Sequence, residues 1–357
     1  MDIFNFETVA LKNDAMIILD QTRLPGEVKY LALTGQEEIW DAIYRLKVRG
    51  APAIGAAAAI GIYLGALEIS CTDYDGFYEQ FKKKKDYLAS ARPTAVNLFW
   101  ALNRMEDCVA ENSGRTADEI KRALLKRVLA ILDEDVRVCR QIGRFGAGVL
   151  QDGIGILTHC NAGTLATVKY GTALSPVYVA MEELDYKNLK VYCDETRPLL
   201  QGARLTAFEL TSAGADTTLL CDSAASLLMR QGKVQMIFVG CDRVAANGDV
   251  VNKVGTSSVA INAKRYGIPF YVCCPTSTLD MNTKTGDDIH IEMRPDEEVT
   301  SMWYETPMAP DGVKVYNPAF DITDHDYVTG IITEFGIARA PYDVSLKKIM
   351  NQKAAGK

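Results

Sequence analysis

The 357-residue chain has no Cys-x-x-Cys pair, no His-Glu-x-x-His and only three histidines, His159, His290 and His325. Zinc sites of those spacings are excluded, and chemistry without a metal is the starting expectation. No Gly-x-Gly-x-x-Gly follows an apolar strand-like run, and no Gly-x-x-x-x-Gly-Lys-Ser/Thr occurs. Neither a dinucleotide nor a nucleoside-triphosphate loop is signalled, so no organic cofactor is expected. Basic charge is not in excess: the net charge of −7 disfavours a general nucleic-acid or anionic-membrane surface, and any anion site must be built locally. There is no repeat period and no low-complexity tract. The nearest approach to a membrane span, "APAIGAAAAIGIYLGAL" (51–67), lacks charges but is mostly Ala and Gly and falls short of the ~20 residues a span needs. It reads as a buried helix in which Gly61 and Gly65 admit a close neighbour.

Nine cysteines, an odd number scattered through apolar segments, read as reduced intracellular thiols. The opening "MDIFNFETVALKND" has no basic-then-apolar arrangement, so a cytoplasmic protein is expected.

Length and texture suggest two domains. Residues 1–140 read as a small, mainly helical domain with short strands in "MIILDQT" and "EVKYLAL". Apolar residues recur at helical spacing over 37–47, 74–89, 93–112 and 117–143. Over 141–357 the pattern changes to short apolar runs separated by longer stretches: "GILTHC" (155–160), "LKVYCDE" (189–195), "TTLLCD" (217–222), "MIFVGCD" (236–242) and "IPFYVCC" (268–274). Runs apolar on both faces suit parallel strands covered by helices, so the fold class is α/β, with a Rossmann-like open parallel sheet. Ligands of such sheets bind beyond the carboxyl ends of the strands. Four of the five runs end near a chemically useful residue, Cys160, Asp194, Asp222 or Asp242, which points to one rim.

Each rim group has two readings. Cys160, in Cys-Asn-Ala-Gly-Thr, is either a core thiol or one made reactive by amides at the start of a following helix. Asp242 is either neutralised by Arg243 or held in an apolar setting that favours its protonated form, as an acid/base catalyst needs. Asn252 and Lys253 open the next helical stretch and suit phosphate or sugar hydroxyls, with Asn247, Gly248 and Asp249 shaping the preceding turn. The segments "RGAPAIG" (49–55), "ARPTAVN" (91–97) and "DETRPLLQGARLTAFEL" (194–210) each hold an Arg beside Pro or Gly. Each is either a salt-bridged turn or a stiffly held cation for forked phosphate contacts.

Taken in order, "RGAPAIG", "RPTAVN", "THCNAGTLAT", "DETRPLLQGARLTA", "VGCDRVAANGDVVNKVGT", "PFYVCCPTSTLD" and "VYNPAFDIT" resemble the methylthioribose-1-phosphate isomerase family over nearly the whole chain. The wider group also includes ribose-1,5-bisphosphate isomerases and regulatory subunits of a translation-initiation exchange factor. The resemblance implies a ring-opening aldose-to-ketose isomerisation of a pentose 1-phosphate, without metal or nucleotide, in a homodimer. It places the catalytic cysteine at Cys160 and the catalytic aspartate at Asp242. Substrate-binding positions fall on Arg49, Gly50, Ala51, Arg92, Gln201, Asn252 and Lys253. Cys241, Cys273 and Cys274 depart from the alanines expected of typical members, which bears on substrate detail.

A sugar with phosphate on its anomeric oxygen cannot open unaided, so an acid must protonate the ring oxygen, and Asp242 is the candidate. Hydrogen then moves from C2 to C1, through an enediol-like species or as hydride, with Cys160 and Asp242 the pair for either route. His159 alternates to the face opposite Cys160 if "THC" is strand, so it is not the expected base. Rival substrates are 5-deoxyribose 1-phosphate and ribose 1,5-bisphosphate. The rival from another class is a non-catalytic metabolite-sensing subunit.

Overall fold

The structure is a computed structural model that describes residues 6–93 and 95–356. Residues 1–5, from the opening stretch read for a targeting signal, Thr94 of "ARPTAVN" and Lys357 lie outside the described residues. The chain divides into two compact units. One holds the residues up to Arg140 together with Gly163–Gly171, and the other holds Gln141–Ala162 and the residues from Thr172 onward.

The first unit opens with an antiparallel sheet of β1 (Val9–Lys12), β2 (Ala15–Leu19) and β3 (Tyr30–Leu33). Asn13 and Asp14, at φ of 51° and 53°, make the two-residue turn between β1 and β2, where short polar side chains tolerate the left-handed region. Four helices follow: α1 (Gln36–Tyr44), α2 (Ala51–Leu67), α3 (Tyr74–Ala89) and α4 (Val96–Ala110). The fifth, α5 (Ala117–Ala147), buries Ile120, Leu124, Val128 and Ile131 along one face, and its residues up to Arg140 belong here. As its composition suggests, α2 is the buried axis of this unit. A Cβ on Gly61 would lie 2.8 Å from Ile39 Cγ2 of α1, and one on Gly65 would lie 3.1 Å from Gln36. Glycine there permits helix approach that alanine would not. Ile39, Phe77, Phe81, Leu98 and Leu102 close the core around it.

The second unit is built on a sheet in the order β14-β13-β10-β7-β4-β5-β6. Its strands are β4 (Gly155–Thr158), β5 (Lys190–Asp194), β6 (Asp216–Leu220), β7 (Met236–Val239), β10 (Phe270–Cys273), β13 (Gly330–Thr333) and β14 (Gly336–Ala338). Neighbours are parallel except β13 and β14. The five apolar runs of the sequence are therefore five consecutive strands. β6 differs from expectation in being an edge strand, with Leu219 48% exposed, so it lacks the double cover of its neighbours. The helices of this unit are α6 (Ser175–Glu183), α7 (Ala207–Ser212), α8 (Ala225–Arg230), α9 (Thr256–Tyr266), α10 (Glu297–Thr300) and α11 (Tyr342–Ala354). A second sheet, absent from the sequence reading, joins β11 (Leu279–Asp280), β8 (Arg243–Ala245), β9 (Val250–Lys253) and β12 (Phe320–Thr323) in that order. Its strands are two to four residues long, too short for a period to declare itself. Among the described residues, no helix is long and apolar enough to cross a membrane.

Candidate active site

β4 and β7 are neighbours with Leu157 opposite Ile237, so Cys160 and Asp242 leave the same end of adjacent strands. The two crossing loops touch: a Cβ on Gly240 would lie 2.6 Å from Ala162 Cβ. Cys160 adopts φ of 65°, left-handed backbone that a side chain makes costly. Its amide donates to Thr196 Oγ1 at 2.8 Å and its carbonyl accepts from Thr206 Oγ1 at 2.6 Å. The helix expected directly after it is only a short turn, Thr164–Ala166, with α6 starting at Ser175. Its amide is thus engaged by a side chain, and no long helix follows directly to present amides to an anion.

His159 is buried and faces away from solvent. Nδ1 lies 2.9 Å from Asp194 Oδ2 and Nε2 lies 2.9 Å from the Val254 carbonyl. A carbonyl only accepts, so Nε2 carries a hydrogen, and a further proton is shared between Nδ1 and the carboxylate. Burial opposes the imidazolium, but the Asp194 and Val254 hydrogen bonds outweigh it and raise the His159 pKa above its ordinary value. Burial likewise pushes Asp194 up against the pull of His159, so the pair retains its proton. Gly255, at φ of 103°, passes so close that a Cβ would lie 2.7 Å from the His159 ring.

Asn161 is anchored on the other side. Its Nδ2 donates to buried Glu209, which also accepts from Tyr178 OH at 3.0 Å. Glu209 follows the π-helical turn Gly202–Thr206, an insertion geometry common at functional sites. Gly202 is obligatory in this turn, since a Cβ there would lie 1.6 Å from the Asp194 carbonyl oxygen. Gln201 precedes it, with Oε1 buried and lacking a hydrogen-bond partner among the described residues.

Two expectations need correction. The Asp242 side chain is exposed, on the link between β7 and β8, rather than held in an apolar setting. Val239 already ends the buried strand, and the loop beyond it turns outward. Asn252 and Lys253 lie on β9, paired with Asp321 and Phe320 of β12, instead of opening a helix. On a strand they point to opposite faces: Asn252 is buried, donating to Thr256 Oγ1 at 3.0 Å, and Lys253 Nζ donates to the Ala319 carbonyl at 2.9 Å. The amides at the start of α9 are likewise engaged, Gly255 N to Asp321 Oδ2 at 2.7 Å and Ser257 N to Oδ1 at 3.1 Å. The turn before β9 is as expected: Gly248 has φ of 94°, and Asn247 Nδ2 donates to Asp249 Oδ2 at 2.7 Å.

In the first unit, Arg49 and Gly50 lead into α2, Ala51 is its first residue, and Arg92 stands before Pro93. Both arginines are half-buried. Gly50, at φ of 92°, packs on Ala166, where a Cβ would come within 2.5 Å. The segment 163–171 is held by Thr8 Oγ1 on the Thr164 carbonyl (2.6 Å), Gln21 Nε2 on the Leu165 carbonyl (2.8 Å) and the Val168 amide on Asp135 (2.7 Å).

His159, Asp194 and Asp222 also have ligand atoms within 4.8 Å of one another, a spacing that could hold a metal ion. Asp194 Oδ1 is buried without a hydrogen-bond partner among the described residues, but the other ligand atoms are largely committed. Asp222 accepts the Thr196 and Arg197 amides at 2.7 and 2.8 Å, and His159 bridges Asp194 and Val254. Apart from that one oxygen, the cluster is a hydrogen-bonded frame. Thr196, Thr206, Glu209 and Asp321 were not singled out individually by the sequence, because their partners are remote along the chain.

A thiol, a carboxylate and amide side chains carried by strands and loops at the carboxyl ends of an open parallel sheet define an α/β protein of the small-ligand kind. Residues 47–340 match the sequence model of the Initiation factor 2 subunit family. A "Methylthioribose-1-phosphate isomerase" of Symbiobacterium thermophilum is 59% identical over 349 residues, 97% of each chain. A "5-deoxyribose 1-phosphate isomerase" of Petrotoga mobilis is 54% identical, covering 95% of this chain and 96% of its own. The crystal structure of 5-methylthioribose 1-phosphate isomerase from Pyrococcus horikoshii OT3 superposes with a TM-score of 0.91 at 46% identity, over 97% of this chain and 96% of that one. The chain belongs to the Initiation factor 2 subunit family, in its methylthioribose-1-phosphate isomerase group.

Proposed function

We propose that this protein isomerises 5-methylthioribose 1-phosphate to 5-methylthioribulose 1-phosphate, a step of methionine salvage. The reading is carried by 59% identity across 97% of both chains with a relative of that name. Cys160 and Asp242 are its catalytic pair, and their departure from the same end of adjacent strands supports the pairing. Asp242 delivers a proton to the ring oxygen, and its exposure suits a group that exchanges protons with solvent between turnovers. Once the ring opens, hydrogen moves from C2 to C1 with Cys160 and Asp242 managing the proton of the C2 hydroxyl or of C2 itself. Arg49, Gly50, Ala51, Arg92, Gln201, Asn252 and Lys253 are the substrate-binding positions. A homodimer in the cytoplasm, working without metal or organic cofactor, completes the reading.

A second substrate has its own support, since a relative 54% identical is named for 5-deoxyribose 1-phosphate. A pocket shaped for methylthio loses only modest binding to the smaller methyl group. The test is a proton NMR time course of metal-stripped protein with 5-methylthioribose 1-phosphate, 5-deoxyribose 1-phosphate and ribose 1,5-bisphosphate in separate tubes. Ketose formed fastest from the first is expected. Faster turnover of the second reassigns the substrate, and no product from any of them overturns the enzyme and favours a metabolite-sensing subunit.

A further inference from the structure

Cys160 is gripped through its peptide groups by two threonine hydroxyls that the mechanism above does not use. Thr196 Oγ1 accepts the Cys160 amide at 2.8 Å and donates to the Asp194 carbonyl at 3.1 Å. Thr206 Oγ1 donates to the Cys160 carbonyl at 2.6 Å and accepts from Asn161 Nδ2 at 3.2 Å. Each hydroxyl is therefore oriented by a second bond, and both threonines are fully buried. Thr196 is set in turn by Asp222, whose oxygens take the Thr196 and Arg197 amides at 2.7 and 2.8 Å. Thr206 is set by the π-helical turn Gly202–Thr206, which backs onto the Asp194 carbonyl. Between them they hold φ of 65° at Cys160, a conformation that an L-residue keeps only when its surroundings impose it.

We propose that Thr196 and Thr206 are positioning residues: their hydroxyls clamp the Cys160 peptide in the left-handed conformation and so aim its thiol. The inference rests on the isomerase reading for its catalytic consequence. Valine has nearly the volume of threonine but no hydroxyl, so it removes the clamp's hydrogen bonds while filling the space. The freed peptide relaxes toward ordinary backbone, and a displacement on the order of 1 Å at the reacting atom is enough to cost about a hundredfold in rate.

The experiment compares Thr196→Val and Thr206→Val with Thr196→Ser and Thr206→Ser in two assays. One measures kcat and KM with 5-methylthioribose 1-phosphate. The other follows alkylation of Cys160 by iodoacetamide in the absence of sugar, read by peptide mass spectrometry. The valine variants should lose about a hundredfold in kcat with KM changed by less than about threefold, and Cys160 alkylation should shift by about fivefold or more. The serine variants should restore both. A thermal midpoint near that of the wild type establishes folding for each variant. Where Thr196→Val does not fold, Asp222→Asn replaces it, since this loosens Thr196 with both hydroxyls in place and should give the same split in smaller degree; where Thr206→Val does not fold, Thr206→Ala takes its place. Folded valine variants with wild-type kcat and alkylation overturn the clamp, as does loss of kcat with alkylation unchanged or without rescue by serine. If the wild-type protein turns over no pentose phosphate, the isomerase reading has failed on its own account, and the alkylation assay alone decides the clamp.

Discussion

His159 Nδ1 and Asp194 Oδ2 lie 2.9 Å apart, with side chains only 1% and 0% exposed. The exits of β4 and β5 are joined by this shared proton as well as by the Cys160 amide on Thr196 Oγ1. Since the folded His159 pKa is raised, the pair's stabilisation is fully present below the unfolded histidine value of about 6.5 and is lost as pH rises through the folded value. Urea denaturation between pH 6 and 9 should show stability declining with pH. His159→Gln should flatten that decline, and equal slopes in the two proteins would refute the shared proton. Asp194→Ala, which strands a buried imidazole, should cost about 3–5 kcal/mol.

Asp242 stands exposed at the exit of β7. Asp242→Asn should leave stability within about 0.5 kcal/mol. Turnover should fall by about 10²–10⁴-fold, the usual range for a lost acid/base group. Titration calorimetry with the sugar phosphate should still register binding. Loss of binding or of folding instead would give this carboxylate a structural role.

The left-handed backbone at Cys160 carries a stability signature separate from activity. Alanine in place of cysteine keeps the steric conflict of a Cβ, whereas glycine removes it. Cys160→Gly should therefore be as stable as Cys160→Ala or better by about 1 kcal/mol, reversing the usual penalty for glycine. Both should be inactive. Chemical denaturation of the two variants measures the difference, and a clear advantage for alanine would contradict the backbone assignment.

Asp135 on α5 holds the Val168 amide at 2.7 Å. Burial, reinforced by the charge of Glu134, pushes its carboxyl up to about 7 against the pull of that amide. The folded state then binds a proton that the unfolded state has released, so this group lowers stability as pH rises from about 4 to about 7. Asp135→Asn keeps an acceptor for Val168 and cannot ionise. Its thermal midpoint should exceed the wild-type value at pH 8 and match it more closely at pH 5. A midpoint below wild type at both would show that the carboxylate is favourable as an ion.

How much of this was legible in advance depends on the range of the interaction involved. "MIFVGCD" and "GILTHC" announce buried strands because burial on both faces leaves a continuous apolar run, and the sheet places β7 and β4 side by side as such strands require. α3 spans Tyr74–Ala89, the same residues that its apolar spacing marks, because Asp73 caps it locally by accepting from Gly76 N at 2.8 Å. Asn252 and Lys253 were misplaced for the converse reason. β9 is a four-residue strand, too short to show a period; one partner, β12, lies some seventy residues away, and its one local sign is the Asn247–Asp249 turn that pairs it with three-residue β8.

The sequence by itself determined the alternation of strands and helices, the order of the chemical groups along the sheet edge and, through its ordered motifs, the family. These are properties of neighbours in the chain, written in period, caps and glycine. Only the tertiary structure decided which way each group faces. Asp242 is turned to solvent while His159 is turned inward to Asp194, 35 residues away, and Thr206 reaches Cys160 across 46. Contacts at that separation depend on how loops close over a finished sheet. A buried polar group must find whichever partner lies within hydrogen-bond reach, and that partner is known only when the chain has folded.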